Sequence, residues 1–236
     1  MLCWCLATAA GAQNSTIPAA MPVVSLTAHN EWLPEFTQVK ISAAIEVTFV
    51  RAAVTEAPRI AYDTKGVDDT RFKASVDKKG VLTISERVPR DKRSETQVTV
   101  YYHTLESLSV SDAWVVFSQP VDQQMVALTM SGGARLTAEV DVKDMEVTLT
   151  GKNTRLTLSG SAKYLEAEVS SGKIDASKLV VMNAEIEASY SADVRLDVTD
   201  RLKASATSSA KVSYSGRPSI VKVRESYLGG SVKSVE

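Results

Sequence analysis

Residues 147–150 read Val147-Thr148-Leu149-Thr150, residues 167–170 read Ala167-Glu168-Val169-Ser170, and residues 186–189 read Ile186-Glu187-Ala188-Ser189. Each block is an apolar residue, a variable residue, a second apolar residue, and then Ser or Thr. The Ser/Thr position recurs at intervals of 20, 19, 20, 19 and 18 residues, at Ser111, Ser131, Thr150, Ser170, Ser189 and Thr207. A fixed period of this size is typical of a solenoid, because each repeat is too small to bury its own apolar side and must stack on its neighbours.

Three apolar columns keep a constant position relative to this Ser or Thr. They are Leu108, Leu128, Val147, Ala167, Ile186 and Ala204; Val110, Met130, Leu149, Val169, Ala188 and Ala206; and, after the turn, Leu136, Leu156, Ile174, Val194 and Val212. Side chains two residues apart in a strand face the same side, so the columns predict parallel strands stacked about 4.8 Å apart around an apolar interior. The sequence therefore predicts an all-β chain whose second half is a single-stranded parallel β-helix, a solenoid with rungs of about 19 residues.

A β-rich region precedes the repeat. Residues 45–49 alternate apolar and polar side chains with period two, and residues 77–80 are typical of a hairpin turn. We expect this region to cap the solenoid, because a stacked sheet leaves unpaired backbone groups at each end. The predicted organisation is a signal-peptide remnant at 1–12, a flexible leader at 13–29, an N-terminal β-rich region at 30–103, parallel β-helix repeats at 104–216 and a C-terminal cap at 217–236.

The first twelve residues indicate export. They are apolar and uncharged, and they end in Ala10-Gly11-Ala12, a small-residue pattern typical of a signal-peptide cleavage site. They also contain Cys3 and Cys5, the only cysteines of the chain, so the mature protein would have neither a disulfide nor a thiolate metal site. No apolar run reaches the ~20 residues that a transmembrane helix needs, so no transmembrane segment is expected.

The overall charge argues against a nucleic-acid partner. The chain has 27 Lys and Arg against 28 Asp and Glu, which gives a net charge of −1. Nucleic-acid binding depends on a concentrated excess of basic residues, because these replace the counterions of the phosphates. Aromatic residues make up only 6% of the chain, which is few for a base-stacking surface.

A family resemblance emerges from several segments taken together. The run from Phe36 to Phe49, the strand Gly80-Val81-Leu82-Thr83-Ile84, the Ser/Thr-rich rungs and the terminal Gly229-Gly230-Ser231-Val232 resemble the bacterial family named putative auto-transporter adhesin, head GIN domain. The resemblance covers approximately residues 30–235. It implies a secreted parallel β-helix protein of Bacteroidetes type, in the periplasm or on the cell surface of a Gram-negative bacterium. The family supplies no catalytic residues that could be transferred to this chain.

Five glutamates fall in two outward columns on one predicted face. Three lie four residues before the Ser/Thr position and two lie two residues before it: Glu146, Glu166 and Glu185, then Glu168 and Glu187. Column neighbours about 5 Å apart should raise one another's pKa or attract a cation. The face is therefore either an acidic recognition or calcium-binding surface, or an ordinary solvated face. Because no compact ligand loop accompanies it, no cofactor is expected, and calcium is the only ion that this face suggests.

A second outward column is mostly basic. It contains Arg135, Arg155, Lys173 and Lys211, interrupted by Asp193. One interpretation is a stripe that binds anionic glycans. The other is a surface ladder of alternating charges, in which each pair contributes about 0–1 kcal/mol.

The repeat favours binding over catalysis. No Ser-His-Asp set and no Walker, Rossmann or zinc motif can be found in the sequence. The repeat intervals vary by only two residues, which leaves no long loops from which to build a catalytic cleft. We therefore expect a non-enzymatic exported β-solenoid with an adhesin-like, scaffold or binding role, and an extracellular glycan or protein surface as its partner. The alternative is a pectinase-like polysaccharide lyase or hydrolase that uses the glutamate face.

Overall fold

The computed structural model describes residues 29–65, 69–87, 95–225 and 228–235. The predicted signal-peptide remnant at 1–12 and all but the last residue of the predicted leader at 13–29 lie outside these ranges. The described chain is built from seventeen strands and one short 3-10 helix, Asp69–Arg71, which confirms the predicted all-β class.

The strands are short near both ends of the chain and long in the middle. The first nine are β1 His29–Trp32, β2 Gln38–Ser42, β3 Glu46–Arg51, β4 Arg59–Asp63, β5 Phe72–Val76, β6 Val81–Glu86, β7 Gln97–Tyr102, β8 Ser107–Ser111 and β9 Trp114–Phe117. The remaining eight are β10 Val121–Ser131, β11 Arg135–Thr150, β12 Arg155–Ser170, β13 Lys173–Ser189, β14 Asp193–Ala206, β15 Lys211–Ser215, β16 Ile220–Glu225 and β17 Ser231–Ser234.

Parallel pairing of β8 and β10 to β14 confirms the predicted parallel β-helix and its register. Leu108, Leu128, Val147, Ala167, Ile186 and Ala204 are successive Cα partners in one continuous column. Each of them is at most 4% exposed. The stack forms about six turns, and the predicted apolar columns make up its interior.

The long strands bend at corners without leaving the sheet. Along β11 the inside-outside alternation holds up to Val142, then Lys143 and Asp144 both avoid the core, and it resumes at the buried Met145. Lys163 with Tyr164 in β12 repeats the same shift in phase, as does Met182 with Asn183 in β13. Each corner therefore presents two successive side chains outside the core, which a straight strand would not do.

The N-terminal region contributes rungs to the solenoid as well as covering its end. Strands β2 and β3 pair in parallel with β8 and β9 on one side and with β6 and β7 on the other. The rung formed by β2 and β3 comes first in the sequence but is the second parallel rung in space, next to the outermost rung of β6 and β7. Beyond it, β5 lies antiparallel on β6, while β4 lies antiparallel on β7 and carries β1.

The C-terminal segment at 217–236, which we expected to cap the stack, instead extends it. Strand β16 pairs in parallel with the second half of β14, and β17 pairs in parallel with β15. Both strands continue the existing columns, so that Val221 follows Leu202 and Val232 follows Val212. The alternation of apolar and polar residues in both strands matches the rungs before them, and this favours addition to the sheet over coverage of its end.

We predict that Gly160→Ala will destabilise the solenoid strongly. Gly160 has a φ of +103°, and a Cβ there would overlap the carbonyl oxygen of Val140 in the neighbouring strand. Such strain should lower the free energy of unfolding by about 2–3 kcal/mol, which urea denaturation would measure.

The matched control is Gly133→Ala. A Cβ at Gly133 would meet only Asp112 Oδ1, at 3.7 Å, an ordinary contact distance. Similar losses of stability in the two variants would contradict the assigned backbone geometry at Gly160.

Candidate functional site

The five predicted glutamates lie together on one outer face. Glu146, Glu166 and Glu185 are Cα partners in three successive strands, and Glu168 is the partner of Glu187 in the adjacent column. The structure thus brings all five into the two predicted columns. Their role in binding stays a prediction.

Basic residues follow the glutamates toward the C-terminal end of this face. Lys203 is the Cα partner of Glu185, and its ammonium forms an ion pair with that carboxylate. The hydrogen bond to Glu185 raises the pKa of Lys203, and attraction to Glu187 and Glu166 adds to this rise. The acidic face is therefore partly neutralised at one end, whereas Glu146 and Glu166 form no ion pair within the described ranges.

A groove runs along the corner beside the first glutamate column. Its second wall is a column of Cα partners, Met125, Asp144, Tyr164, Asn183 and Arg201. Its floor is the buried column Met145, Leu165, Ala184 and Leu202. The groove is open, has a volume of about 580 Å³ and continues to Lys222 on the last rung. Six rungs span five spacings, so its length is about 24 Å.

The second wall was missed at the level of sequence. Each of its residues lies six positions before the Ser/Thr position, in phase with the glutamate columns, so extending those columns by two residues identifies this wall. The shift in alternation comes just before it, between Lys143 and Asp144 in β11. Pairs of successive polar or bulky residues, such as Lys163 with Tyr164, were the available signal for a corner.

The groove has different chemistry at its two ends. Asp144, Glu146 and Glu166 make one end acidic, and Arg201 and Lys222 make the other end basic. Between them, Tyr164 is 44% exposed, and Lys163 Nζ lies 5.3 Å from its ring centroid. The site can therefore offer carboxylate acceptors, cationic donors and an aromatic surface along one line.

The predicted basic stripe also forms a column, and two of its four cations have local partners. Arg135, Arg155 and Lys173 are successive Cα partners, followed by Asp193 and Lys211. Lys173 Nζ lies 3.0 Å from Asp193 Oδ2. The guanidinium of Arg135 lies 5.0 Å from the ring centroid of Trp114, and this contact covers part of that ring. These contacts agree with a ladder of charges, and binding of an anionic ligand by the stripe stays a prediction.

Asp175 lies in the column beside this stripe. Its Oδ1 accepts a hydrogen bond from Ser177 Oγ at 2.7 Å. This bond, the bond from the Ser177 backbone N–H, and attraction to Arg195 and Lys173 lower the pKa of Asp175 in spite of partial burial. The carboxylate is thus held in its charged form by its neighbours.

Both ring nitrogens of His103 lie within hydrogen-bond distance of oxygen atoms of the protein. Its Nδ1 lies 3.3 Å from Glu35 Oε2, and its Nε2 lies 2.8 Å from the carbonyl oxygen of Glu56. Burial tends to lower the pKa of His103, but the hydrogen bonds to Glu35 and to backbone carbonyls raise it above its ordinary value. Both ring nitrogens are engaged, which does not suit a general base.

Two further properties of the described residues bear on function. No group of three or more His, Cys, Asp or Glu side chains in those ranges lies close enough together to hold a metal ion. The same ranges contain no helix with the length and apolar character needed to cross a membrane.

Comparison with protein families gives one match over most of the chain. The model of the family described as putative auto-transporter adhesin, head GIN domain matches residues 35–218. No curated protein matches the chain with significant sequence similarity.

Several solved structures share the fold at low sequence identity. A putative adhesin from Bacteroides fragilis NCTC 9343 is 14% identical, with a TM-score of 0.79 over 88% of this chain and 96% of that one. A putative adhesin from Parabacteroides merdae ATCC 43184 is 16% identical, with a TM-score of 0.65 over 89% and 95%. A protein from Parabacteroides distasonis ATCC 8503 described as a putative lipid binding protein is 16% identical, with a TM-score of 0.59 over 89% and 96%.

We predict that Ser177→Ala will raise the pKa of Asp175 toward its ordinary value. The substitution removes the hydroxyl hydrogen bond, which contributes most to lowering that pKa. Since a lowered folded-state pKa stabilises the protein above the unfolded pKa, the variant should lose less stability on acidification than the wild type. Carboxyl NMR titration measures the pKa, and Ser161→Ala, which alters Asp141 instead, is the control.

We predict that millimolar calcium will leave the melting temperature unchanged. The glutamates are spread over successive rungs, and Lys203 already pairs with Glu185. A ligand that binds only the folded state must raise the melting temperature, so scanning calorimetry with calcium and with EDTA is a direct test. A rise that Glu166→Gln abolishes would instead establish a calcium site on the acidic face.

Proposed function

We propose, since this chain belongs to the putative auto-transporter adhesin, head GIN domain family, that it is an exported, non-enzymatic β-solenoid that binds an extended extracellular glycan. The observation that carries this proposal is the groove along the corner between Asp144 and Lys222. It is long, open and lined by side chains that repeat once per rung.

The spacing of the groove suits a ligand with a repeat of its own. Equivalent side chains in neighbouring rungs lie about 4.8 Å apart. This distance is close to the length of one sugar residue in an extended glycan chain. Successive sugars could therefore meet equivalent groups on successive rungs, which an extended peptide, with its different repeat, could not do as regularly.

The chemistry of the groove also suits a glycan. The carboxylates of Asp144, Glu146 and Glu166 accept hydrogen bonds from hydroxyl groups, and Asn183 can both donate and accept. The exposed ring of Tyr164 offers an apolar face on which the face of a sugar ring can pack. Shallow polar sites of this kind favour binding through many modest contacts.

A catalytic role is less well supported by the same residues. Polysaccharide hydrolysis needs two carboxyl groups on opposite sides of the scissile bond. Glu146, Glu166 and Glu185 share one wall of the groove, and the opposite wall carries a single carboxylate, Asp144. Opposed carboxylates are therefore confined to the acidic end, and the rest of the opposite wall is Tyr164, Asn183 and Arg201. The family and the similar structures from Bacteroides fragilis and Parabacteroides merdae are described as putative adhesins, which agrees with a binding role.

Glycan binding should depend on Tyr164 and Glu166. On an array of extracellular glycans, Tyr164→Ala and Glu166→Gln should each weaken binding about tenfold, because each removes contacts worth about 1–2 kcal/mol. The matched controls are Tyr190→Ala, which alters a more exposed tyrosine in a turn, and Glu139→Gln, which alters an exposed carboxylate on another face. Both controls should bind like the wild type.

Assays for reducing ends and unsaturated products on the same glycans test the alternative. Product formation that Glu166→Gln abolishes would replace the binding role with a polysaccharide-degrading one. Equal losses of binding in the groove variants and their controls would show that the groove is not the site.

A further inference from the structure

The two ends of the solenoid differ in how well their cores are covered. At the N-terminal end, the inward residues of the outermost parallel rung, Leu82, Ile84, Val98 and Val100, are at most 2% exposed. At the C-terminal end, Val221 continues the column of Leu202 and is 41% exposed, and Val223 continues the column of Ala204 and is 45% exposed. Core positions are therefore covered at one end and accessible at the other.

The accessible end also has a free strand edge. Strand β16 pairs with β14 on one side, and no strand of the described ranges pairs with its other side. The outer edge of β16 can therefore offer backbone N–H and C=O groups to an incoming strand. Addition of a strand to such an edge is an established mode of peptide recognition.

The charges on β16 indicate what kind of strand would fit. Lys222 and Arg224 point outward and alternate with the inward Val221 and Val223. Lys222 follows Lys203 in its column, so the last two rungs place like charges next to each other. A strand with Asp or Glu at these outward positions would place carboxylates beside Lys222 and Arg224, and apolar residues at its inward positions would cover Val221 and Val223.

We propose that the free edge of β16 binds a strand from a partner protein in which apolar residues alternate with Asp or Glu. A second copy of this chain fits less well. Antiparallel pairing of two β16 strands in the register that places Val221 opposite Val223 would also place Lys222 opposite Lys222. Like charges directly opposite each other destabilise a strand pair.

The chain itself supplies a suitable probe sequence. Residues 163–170, Lys163-Tyr164-Leu165-Glu166-Ala167-Glu168-Val169-Ser170, alternate apolar and acidic residues. In parallel register, Glu166 of a peptide with this sequence would lie beside Lys222, and Glu168 would lie beside Arg224. Its Leu165 and Ala167 would cover Val221 and Val223.

The test is binding of this fluorescent peptide to the purified protein, followed by anisotropy. The wild-type protein should bind it at least about tenfold more tightly than a peptide with both glutamates replaced by lysine. The charge-reversed variant K222E/R224E should show the opposite preference. Thermal melts should show that this substitution of exposed side chains leaves the fold intact.

A second variant tests the apolar part of the proposal. Val223→Lys places a charge at an inward position of the edge and should weaken binding of the acidic peptide about tenfold, because inward charges block strand addition. Val116→Lys, at a site that is 50% exposed on another face, should bind like the wild type.

Three outcomes would overturn the proposal. The first is equal binding of the two peptides by the wild type. The second is that the wild type binds no peptide but forms a dimer in sedimentation analysis, and that Val223→Lys abolishes this dimer. The third is that the wild type binds no peptide but binds anionic lipid vesicles, and that Val223→Lys loses the vesicle binding. The last two would assign the same edge to self-association or to a membrane.

Discussion

The parallel register between successive rungs is the constraint on which the rest of the structure depends. A parallel ladder places equivalent residues of each repeat directly over one another, so one inward position becomes a column that runs through the core. A slip of one residue would turn every inward side chain outward. The near-constant period preserves this register from β10 to β14, and bulges in β13 and β14 absorb the small variations in length.

The same constraint creates the groove. Since each corner recurs at the same place in every rung, the two residues that avoid the core also stack into columns. Tyr164 and Asn183 come together in this way although they are far apart in the chain. A solenoid therefore builds an elongated site from single residues in each repeat, without the long loops on which enzyme clefts depend.

The sequence was sufficient to predict the columns and insufficient to predict where they end. Apolar residues such as Leu128 and Val147, and glutamates such as Glu166, were placed correctly because a period defines register directly. The corners were missed, since a shift in alternation depends on backbone bending that no single residue specifies. Ser171 and Tyr190 have left-handed backbone conformations in turns, with φ values of +64° and +49°. The sequence does not reveal these conformations either, because Gly is the residue that usually adopts them. Spatial order was also inaccessible, because pairing of β2 with both β6 and β8 is a long-range contact.

Parallel stacking also gives the solenoid a direction, which has a consequence for its ligands. All rungs run the same way, and the residues that line the groove change from rung to rung, which makes its ends distinct, acidic near Asp144 and basic near Lys222. A glycan chain is also directional, since its two ends differ. Ligand and groove would therefore meet in one preferred orientation, with cationic groups of the ligand near Glu146 and anionic groups near Arg201. The basic end of the groove lies beside the free edge of β16, so an acidic strand bound there would reduce the positive charge available to a glycan. Occupation of the edge and of the groove should then be coupled through Lys222, because both sites use its charge.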